Sequence, residues 1–136
     1  MKEHYNTLII GGGTGGIMMG SQLIRKGFES DIAIIEPAEY HYYQPAWTLV
    51  GAGTYNYQDT KRKMSGLIPK RADWIQQSVA KIIPTENKVV LDNDQSVTYE
   101  YLIVSPGLKY DFSLVPGLKE VMEDPNSGAG SVYLDP

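Results

Sequence analysis

The sequence contains no cysteine in its 136 residues. This absence excludes disulfide bonds, thiolate metal ligands and thiol redox chemistry within the chain. The chain also lacks any apolar run of about 18 residues, the length that indicates a membrane-spanning helix. Its N-terminal apolar stretch is too short for a signal peptide. We therefore expect a soluble, cytoplasmic chain.

Positive charge is also scarce, because 12 lysines and arginines stand against 16 aspartates and glutamates, which gives a net charge of −4. Without a basic excess the chain has no field that attracts a nucleic acid backbone, so no nucleic acid partner is expected. Neither histidine has a partner at metal-site spacing. The apolar content of 42% and the chain length are typical of one globular domain.

Glycine, by contrast, is concentrated in one place, the segment Gly11–Gly16. The apolar run Tyr5–Ile10 before it predicts a buried strand. Thr14–Lys26 after it has helical spacing and is followed by a glycine. Asp31–Pro37 predicts a second buried strand, so we expect a parallel crossover and an α/β fold with a Rossmann-like sheet. The helix residues expected to face the sheet are Ile17, Met18, Gly20, Ser21 and Ile24.

Gly11, Gly13 and Gly16 match the G-x-G-x-x-G pattern of dinucleotide-binding turns. Gly11 permits the tight turn, Gly13 lets the backbone approach a pyrophosphate, and Gly16 lets the helix pack closely on the strand. The free N–H groups at the positive end of the helix then face the phosphates. Gly15 adds room and Thr14 offers a hydroxyl. The alternative is that these glycines serve tight packing alone.

Glu36 ends the second predicted strand, about 20 residues after the glycine turn. A carboxylate at this place accepts hydrogen bonds from both ribose hydroxyls and repels a 2′-phosphate, so NADP is disfavoured. The alternative is a solvated acid at the end of a strand. NAD, FAD and S-adenosylmethionine domains share these features, so the turn and the acid together leave the nucleotide open.

The remainder of the chain favours one of these nucleotides. Residues 38–70 are loop-rich, with one short helix that begins near Asp59 as its cap. Strand character returns at Ala72–Pro84, and Lys88–Gly107 predicts a strand, a turn and an interior strand, with the turn at Asp92–Gln95. A nicotinamide-binding half usually continues with another crossover helix. A small antiparallel meander instead resembles the FAD domain of flavoproteins that bind two dinucleotides.

Four segments carry a narrower resemblance: "GGGTGGIMM", "IIEPAEYHYYQPAWTLVGAG", "LIPKRADWIQQSVAKIIP" and "YEYLIVSPGLKYDF". Together they resemble the N-terminal part of sulfide:quinone oxidoreductases, within the pyridine nucleotide-disulfide oxidoreductase family of flavoproteins. Single-subunit NADH:quinone oxidoreductases and flavocytochrome c sulfide dehydrogenase differ in the Tyr-Gln-Pro stretch and remain alternatives. An NAD-binding module is a further alternative.

The resemblance implies FAD as the cofactor. The residues implied to bind it are Gly11, Gly13, Thr14, Gly15, Gly16, Glu36, Gln44, Val79 and Gly107. Thr14 and Gly15 are assigned to the pyrophosphate and Glu36 to the adenosine ribose. Val79 is assigned to the adenine through its backbone N–H and C=O, and Gly107 to the ribityl chain. No catalytic residue is assigned within the chain.

For the whole protein, the resemblance implies an oxidoreductase that passes electrons from sulfide to quinone, peripherally at a membrane. The two redox cysteines, the quinone site and the membrane anchor of that family lie beyond the matched region. We therefore expect residues 1–136 to be the N-terminal portion of an FAD-binding domain, without the C-terminal half of the parent protein and without turnover. Open sheet edges would then favour self-association or swapping.

Overall fold

A computed structural model describes residues 1–28 and 31–132 of the chain. The backbone divides into two compact units. The first unit consists of Met1–Tyr42 and Lys61–Gly107, and the second of Tyr43–Thr60 and Leu108–Pro136. Within the described residues, all the strands belong to the first unit.

Six strands form the main sheet, and two form a separate antiparallel ribbon. In chain order the strands are β1 (His4–Ile10), β2 (Ile32–Ile35), β3 (Tyr40–Tyr42), β4 (Lys61–Lys63), β5 (Ala72–Ile75), β6 (Val79–Ile83), β7 (Lys88–Leu91) and β8 (Ser96–Val104). The order in the main sheet is β5-β2-β1-β8-β7-β6, and β3 pairs with β4. The first four strands of that order are parallel, and β7 is antiparallel to both of its neighbours. The predicted α/β fold, a parallel sheet with a small antiparallel meander, is confirmed.

The core lies on both faces of this sheet, which explains why β1 and β2 are continuous apolar runs. On one face, the buried side chains include Leu8, Ile10, Ala33, Ile35, Val89, Leu91 and Val97. On the other face, Ile9, Ile32 and Ile34 pack with Met19, Leu23 and Ile24. These last three residues belong to helix α1 (Thr14–Arg25), which covers the strands that it connects.

The side of α1 that faces the sheet differs from the prediction, because Met19 and Leu23 pack against the sheet and Met18 does not. Gly16 and Gly20 are the buried residues of the helix, and a Cβ at Gly20 would lie 3.2 Å from Ile34 Cδ1. At about 100° per residue, Met18 lies nearly opposite to Gly20, and 49% of its surface is exposed. The inclusion of Met18 was wrong because Gly16 and Gly20 mark the line of closest approach, and Met18 lies on the opposite side of the helix from that line.

The second unit is helical in its described part. Its helices are α2 (Trp47–Gly51), α3 (Tyr57–Thr60) and α4 (Leu118–Glu123), with 3-10 turns at Gln44–Ala46 and Phe112–Leu114. Trp47 is buried, and its Nε1 donates a hydrogen bond of 3.2 Å to Thr60 Oγ1. Asp59 is not the cap of α3, because the Asn56 side chain accepts the Gln58 N–H at 2.9 Å.

The remaining short elements are 3-10 turns of the first unit, at Met64–Gly66 and Pro84–Glu86. The turn predicted at Asp92–Gln95 follows β7 and leads into β8. None of the helices within residues 1–28 and 31–132 has the length and apolar character needed to cross a membrane.

Candidate functional site

The carboxyl ends of three parallel strands meet where the glycine turn begins. The Gly11 N–H donates to the Ile35 carbonyl at 2.9 Å, which ties the end of β1 to the end of β2. The Ser105 N–H donates to the Ile10 carbonyl at 2.8 Å, which ties the residue after β8 to the end of β1. Ligands of open α/β sheets bind outside this edge, so a binding site is expected here.

Glycine is required at two positions of the turn by close backbone approach. Gly11 has a φ of +99°, and a Cβ there would lie 2.1 Å from the Ser105 carbonyl oxygen. A Cβ at Gly16 would lie 1.8 Å from the Gly11 carbonyl oxygen. A Cβ at Gly13, in contrast, would meet no described atom within 4 Å. The turn is therefore closed toward the protein and open on the side of Gly13.

The N-terminus of α1 emerges from this open side. Among the described residues, no side chain caps this end, and the first turn carries no acidic residue. The first helical bond runs from the Ile17 N–H to the Gly13 carbonyl at 3.1 Å. The N–H groups of Thr14, Gly15 and Gly16 precede that bond and have no acceptor within the helix. A helix end with free donors and a positive dipole suits an anion such as a pyrophosphate.

Glu36 stands beside the turn and is held by it. Its Oε2 accepts the Gly12 N–H at 2.7 Å, and its Oε1 accepts the Ala38 N–H at 2.8 Å. Each carboxylate oxygen keeps a further lone pair for a ligand hydroxyl. Trp74 Nε1 also donates to the Glu36 carbonyl at 2.8 Å. The carboxylate is thus oriented by its neighbours at the place predicted for a ribose.

A cavity of about 240 Å³ opens next to Glu36. Its walls include Gly11, Glu36, Gln77, Ser78, Val79 and Pro106. The volume is below the roughly 300–1,000 Å³ of pockets that enclose a whole small-molecule ligand, so it suits one end of a dinucleotide. The structure therefore brings the glycine turn, Glu36 and Val79 together.

The backbone of Val79 faces away from its neighbouring strand. Val79 pairs with Leu91 in the ladder between β6 and β7, and the flanking bond runs from the Asp92 N–H to the Ser78 carbonyl at 3.0 Å. Val79 and Leu91 therefore form a non-hydrogen-bonded pair of the antiparallel ladder. The N–H and C=O groups of such a pair point away from the partner strand. Because β6 is the outer strand of the sheet, these two groups of Val79 point to the open edge.

Two predicted residues, Gln44 and Gly107, belong neither to the glycine turn nor to the walls of the cavity. Gln44 is exposed and begins a 3-10 turn of the second unit. Gly107 has a φ of +79°, and a Cβ there would meet no described atom within 4 Å; Pro106 lines the cavity instead. Ser105, predicted only as part of a turn, supports the glycine turn, because its Oγ donates to the Ile10 carbonyl at 3.1 Å.

Trp74, Gln77 and Ser78 were not among the predicted site residues. Trp74 lies in β5, the strand beside β2, and Gln77 and Ser78 follow that strand. The position of Trp74 in the apolar run "ADWI" was the available signal, because a tryptophan on a strand usually needs an acceptor for its N–H.

Comparison with known proteins agrees with this geometry. The family described as pyridine nucleotide-disulphide oxidoreductase matches residues 5–132. The chain is similar to the mitochondrial sulfide:quinone oxidoreductase of Mus musculus, with 40% identity over 128 residues, which are 94% of this chain and 28% of that protein. It is also similar to the mitochondrial sulfide:quinone oxidoreductase of Dictyostelium discoideum, with 43% identity over 88% of this chain and 27% of that protein.

Among solved structures, the sulfide:quinone oxidoreductase of Aquifex aeolicus has a TM-score of 0.70 and 27% identity, over 82% of this chain and 26% of that chain. The chain thus spans slightly more than a quarter of the length of these relatives. The resemblance inferred from the four sequence segments is confirmed. The chain belongs to the pyridine nucleotide-disulphide oxidoreductase family.

Proposed function

We propose that this chain binds the adenosine diphosphate end of FAD, as the N-terminal portion of an FAD-binding domain. One observation carries the proposal: the open glycine turn, the uncapped end of α1 and the oriented carboxylate of Glu36 share one sheet edge beside a cavity. The family and its flavoprotein relatives support FAD as the dinucleotide.

The described residues fit this group in three places. The space beside Gly13 admits a phosphate, and the N–H groups of Thr14 and Gly15 are available to it. Glu36 offers acceptors to the two ribose hydroxyls. The outward N–H and C=O of Val79 match the acceptor and donor at the edge of an adenine ring. Gln44 is assigned to a contact with the cofactor, and Gly107 to the ribityl chain, on the resemblance alone.

For the whole protein we propose the transfer of electrons from sulfide to quinone. Bound FAD would accept and release the electrons, and this chain's residues would bind and orient the cofactor. The chain has no cysteine, so it lacks the thiol that reacts with sulfide in the family, and we expect no turnover from it. Because quinones dissolve in membranes, the parent protein is placed peripherally at a membrane surface.

Nucleotide titrations of the 136-residue chain, followed by two-dimensional NMR, test the proposal. FAD is expected to bind more tightly than ADP, and NADH no more tightly than ADP, because the nicotinamide half lacks the flavin contacts. NADH bound more tightly than FAD would contradict the proposal and favour an NAD-binding module. Tight binding of both FAD and NADH would favour an NADH:quinone oxidoreductase-like origin for the domain.

A matched pair of variants locates the site. Glu36→Gln replaces one of the two oxygens that accept backbone N–H groups by an NH₂ group, so the ADP affinity should fall about tenfold, which is the effect of losing one charge-assisted hydrogen bond. Glu39→Gln removes the same charge three residues away, at an exposed position, and should leave the affinity unchanged. Equal effects from the two variants would show that net charge, rather than a ribose contact, controls binding.

We further propose that the chain self-associates through the outer strands of its sheet. β5 and β6 occupy the two edges, and an exposed strand edge offers backbone groups to another chain. Sedimentation over a range of concentrations should give a mass that rises above that of the monomer. A monomer at every concentration would contradict this part of the proposal.

A further inference from the structure

The segment between β5 and β6 is tied to the end of β7 by a reciprocal pair of hydrogen bonds. The Ser78 N–H donates to Asp92 Oδ2 at 3.2 Å, and the Asp92 N–H donates to the Ser78 carbonyl at 3.0 Å. One residue of the hairpin turn therefore engages both backbone polar groups of Ser78. The N–H of the neighbouring Gln77 donates to the Ile75 carbonyl at 3.0 Å in a tight turn.

This arrangement fixes the direction of the next peptide group. The Ser78 carbonyl and the Val79 N–H belong to one planar trans peptide, so they point in opposite directions. Because the carbonyl points to Asp92, the Val79 N–H must point to the open edge of the sheet. The hydrogen bond from the Ser78 N–H to the Asp92 carboxylate holds the Gln77–Ser78 peptide in place. It therefore opposes a flip of the adjacent Ser78–Val79 peptide.

The fixed direction matters because Ser78 and Val79 line the cavity beside Glu36. Adenine has an acceptor at N1 and a donor at N6, which match an N–H and a C=O presented along one backbone edge. Hypoxanthine has nearly the same shape but the opposite polarity, with a donor at N1 and an acceptor at O6. A rigid backbone edge therefore distinguishes the two bases, whereas an edge that flips does not.

We propose that Asp92 is a positioning residue that determines the adenine preference of this site, by holding the Ser78–Val79 peptide with its N–H toward the base. The inference rests on the proposed function, since it requires the adenosine end of the cofactor to lie in this cavity. Asp92 itself has no contact with the base in this arrangement and acts through the backbone of Val79.

The test compares ADP with IDP as ligands of the full 136-residue chain, by two-dimensional NMR titration. The unaltered chain should bind ADP at least about tenfold more tightly than IDP, because mismatched polar groups in a binding site remain unpaired. Asp92→Ala should weaken ADP binding about fivefold, the effect of one net hydrogen bond, and should leave IDP binding nearly unchanged, so a roughly tenfold preference for ADP should fall to about twofold. A change in stability alone would alter both affinities without altering their ratio.

Two control variants separate the loss of the hydrogen-bond acceptor of Asp92 from the loss of its negative charge. Asp92→Asn keeps an oxygen that accepts the Ser78 N–H, so it should retain the preference for ADP. Asp94→Asn removes the same charge from the same turn, at a residue with a φ of 64° that asparagine tolerates, and should behave like the unaltered chain. A loss of preference in Asp92→Asn equal to that in Asp92→Ala would overturn the inference.

Other outcomes distinguish this inference from the proposed function. An unchanged ADP:IDP ratio in Asp92→Ala overturns the role of Asp92 and leaves ADP binding in place. A failure of the unaltered chain to bind ADP overturns both. The NMR signal of the Val79 amide proton tests the inference without a variant. ADP should shift this signal downfield, and IDP should not. A signal that ADP leaves unshifted would also overturn the inference.

Discussion

Alanine substitutions at Gly13 and Gly16 should separate ligand binding from folding. A Cβ at Gly16 would lie 1.8 Å from the Gly11 carbonyl oxygen. Real Cβ atoms essentially never approach a neighbour closer than 3.0 Å, so the helix and the turn must move apart by more than an ångström. Overpacking of this kind costs about 1–3 kcal/mol. Gly16→Ala should therefore lower the free energy of unfolding by that amount.

Gly13→Ala should have the opposite effect, with little change in stability and a loss of ADP affinity. The added methyl meets no described atom within 4 Å, and the backbone at φ −69° and ψ −174° is allowed for alanine. The destabilisation should stay below about 1 kcal/mol, the difference between glycine and alanine at a helix cap. The methyl does, however, enter the open space assigned to the pyrophosphate. The ADP affinity should fall at least about tenfold, which corresponds to about 1.4 kcal/mol.

Urea unfolding followed by circular dichroism gives the stability of each variant, and NMR titration of the folded chain with ADP gives its affinity. The expected outcome is a stable Gly13→Ala with weak binding and a destabilised Gly16→Ala. An unchanged ADP affinity in Gly13→Ala would refute the placement of the phosphates. An unchanged stability in Gly16→Ala would refute the close packing of the turn against the helix.

Two further predictions concern residues that hold the sheet and the site. The buried Tyr5 hydroxyl donates to Asp73 Oδ2 at 2.9 Å, and Tyr5→Phe should cost about 1 kcal/mol at neutral pH. Burial holds the Tyr5 pKa above its ordinary value, so this contribution is complete below about pH 10 and is lost as the pH rises through the raised pKa. The stability difference between the two proteins should therefore shrink in urea titrations above about pH 10, and a constant difference would contradict the role of the hydroxyl. Trp74 bonds to the Glu36 backbone, so ADP should change the tryptophan fluorescence of the chain; Trp74→Phe should abolish this change and Trp47→Phe should retain it.

The local part of the fold and of the site could be predicted from the sequence. The strand, glycine turn, helix and second strand are contiguous, so periodicity and turn chemistry were sufficient to place Gly11, Gly13 and Glu36. The predicted helix face was partly wrong because Met18, Met19 and Leu23 are all apolar, so apolar character alone did not show that Met19 and Leu23 face the sheet and that Met18 is exposed. The assignment of Val79 came from resemblance alone, and the outward direction of its backbone depends on the pairing of β6 with β7.

The supporting contacts could not be predicted because they join distant parts of the chain. The bond from Trp74 to Glu36 spans 38 residues, and the bond from Ser105 to Ile10 spans 95. Both depend on the strand order β5-β2-β1-β8, which no local pattern encodes. The same sheet order brings Glu36 between two supports, one from the turn after β1 and one from β5.

The two backbone hydrogen bonds to the Glu36 carboxylate have a consequence for the rejection of a 2′-phosphate. The Glu36 carboxylate accepts the N–H groups of Gly12 and Ala38, so it cannot rotate away from a phosphate without leaving two backbone donors unpaired. A long-range repulsion between the carboxylate and the 2′-phosphate would disappear at high salt, because the Debye length is about 3 Å at 1 M. The repulsion at direct contact between the phosphate and a fixed carboxylate would remain. ADP should therefore bind more tightly than 2′-phosphorylated ADP both at low salt and in about 1 M salt. A preference that vanishes at high salt in parallel titrations would show that the carboxylate yields to the ligand, and that its two backbone hydrogen bonds do not fix its position.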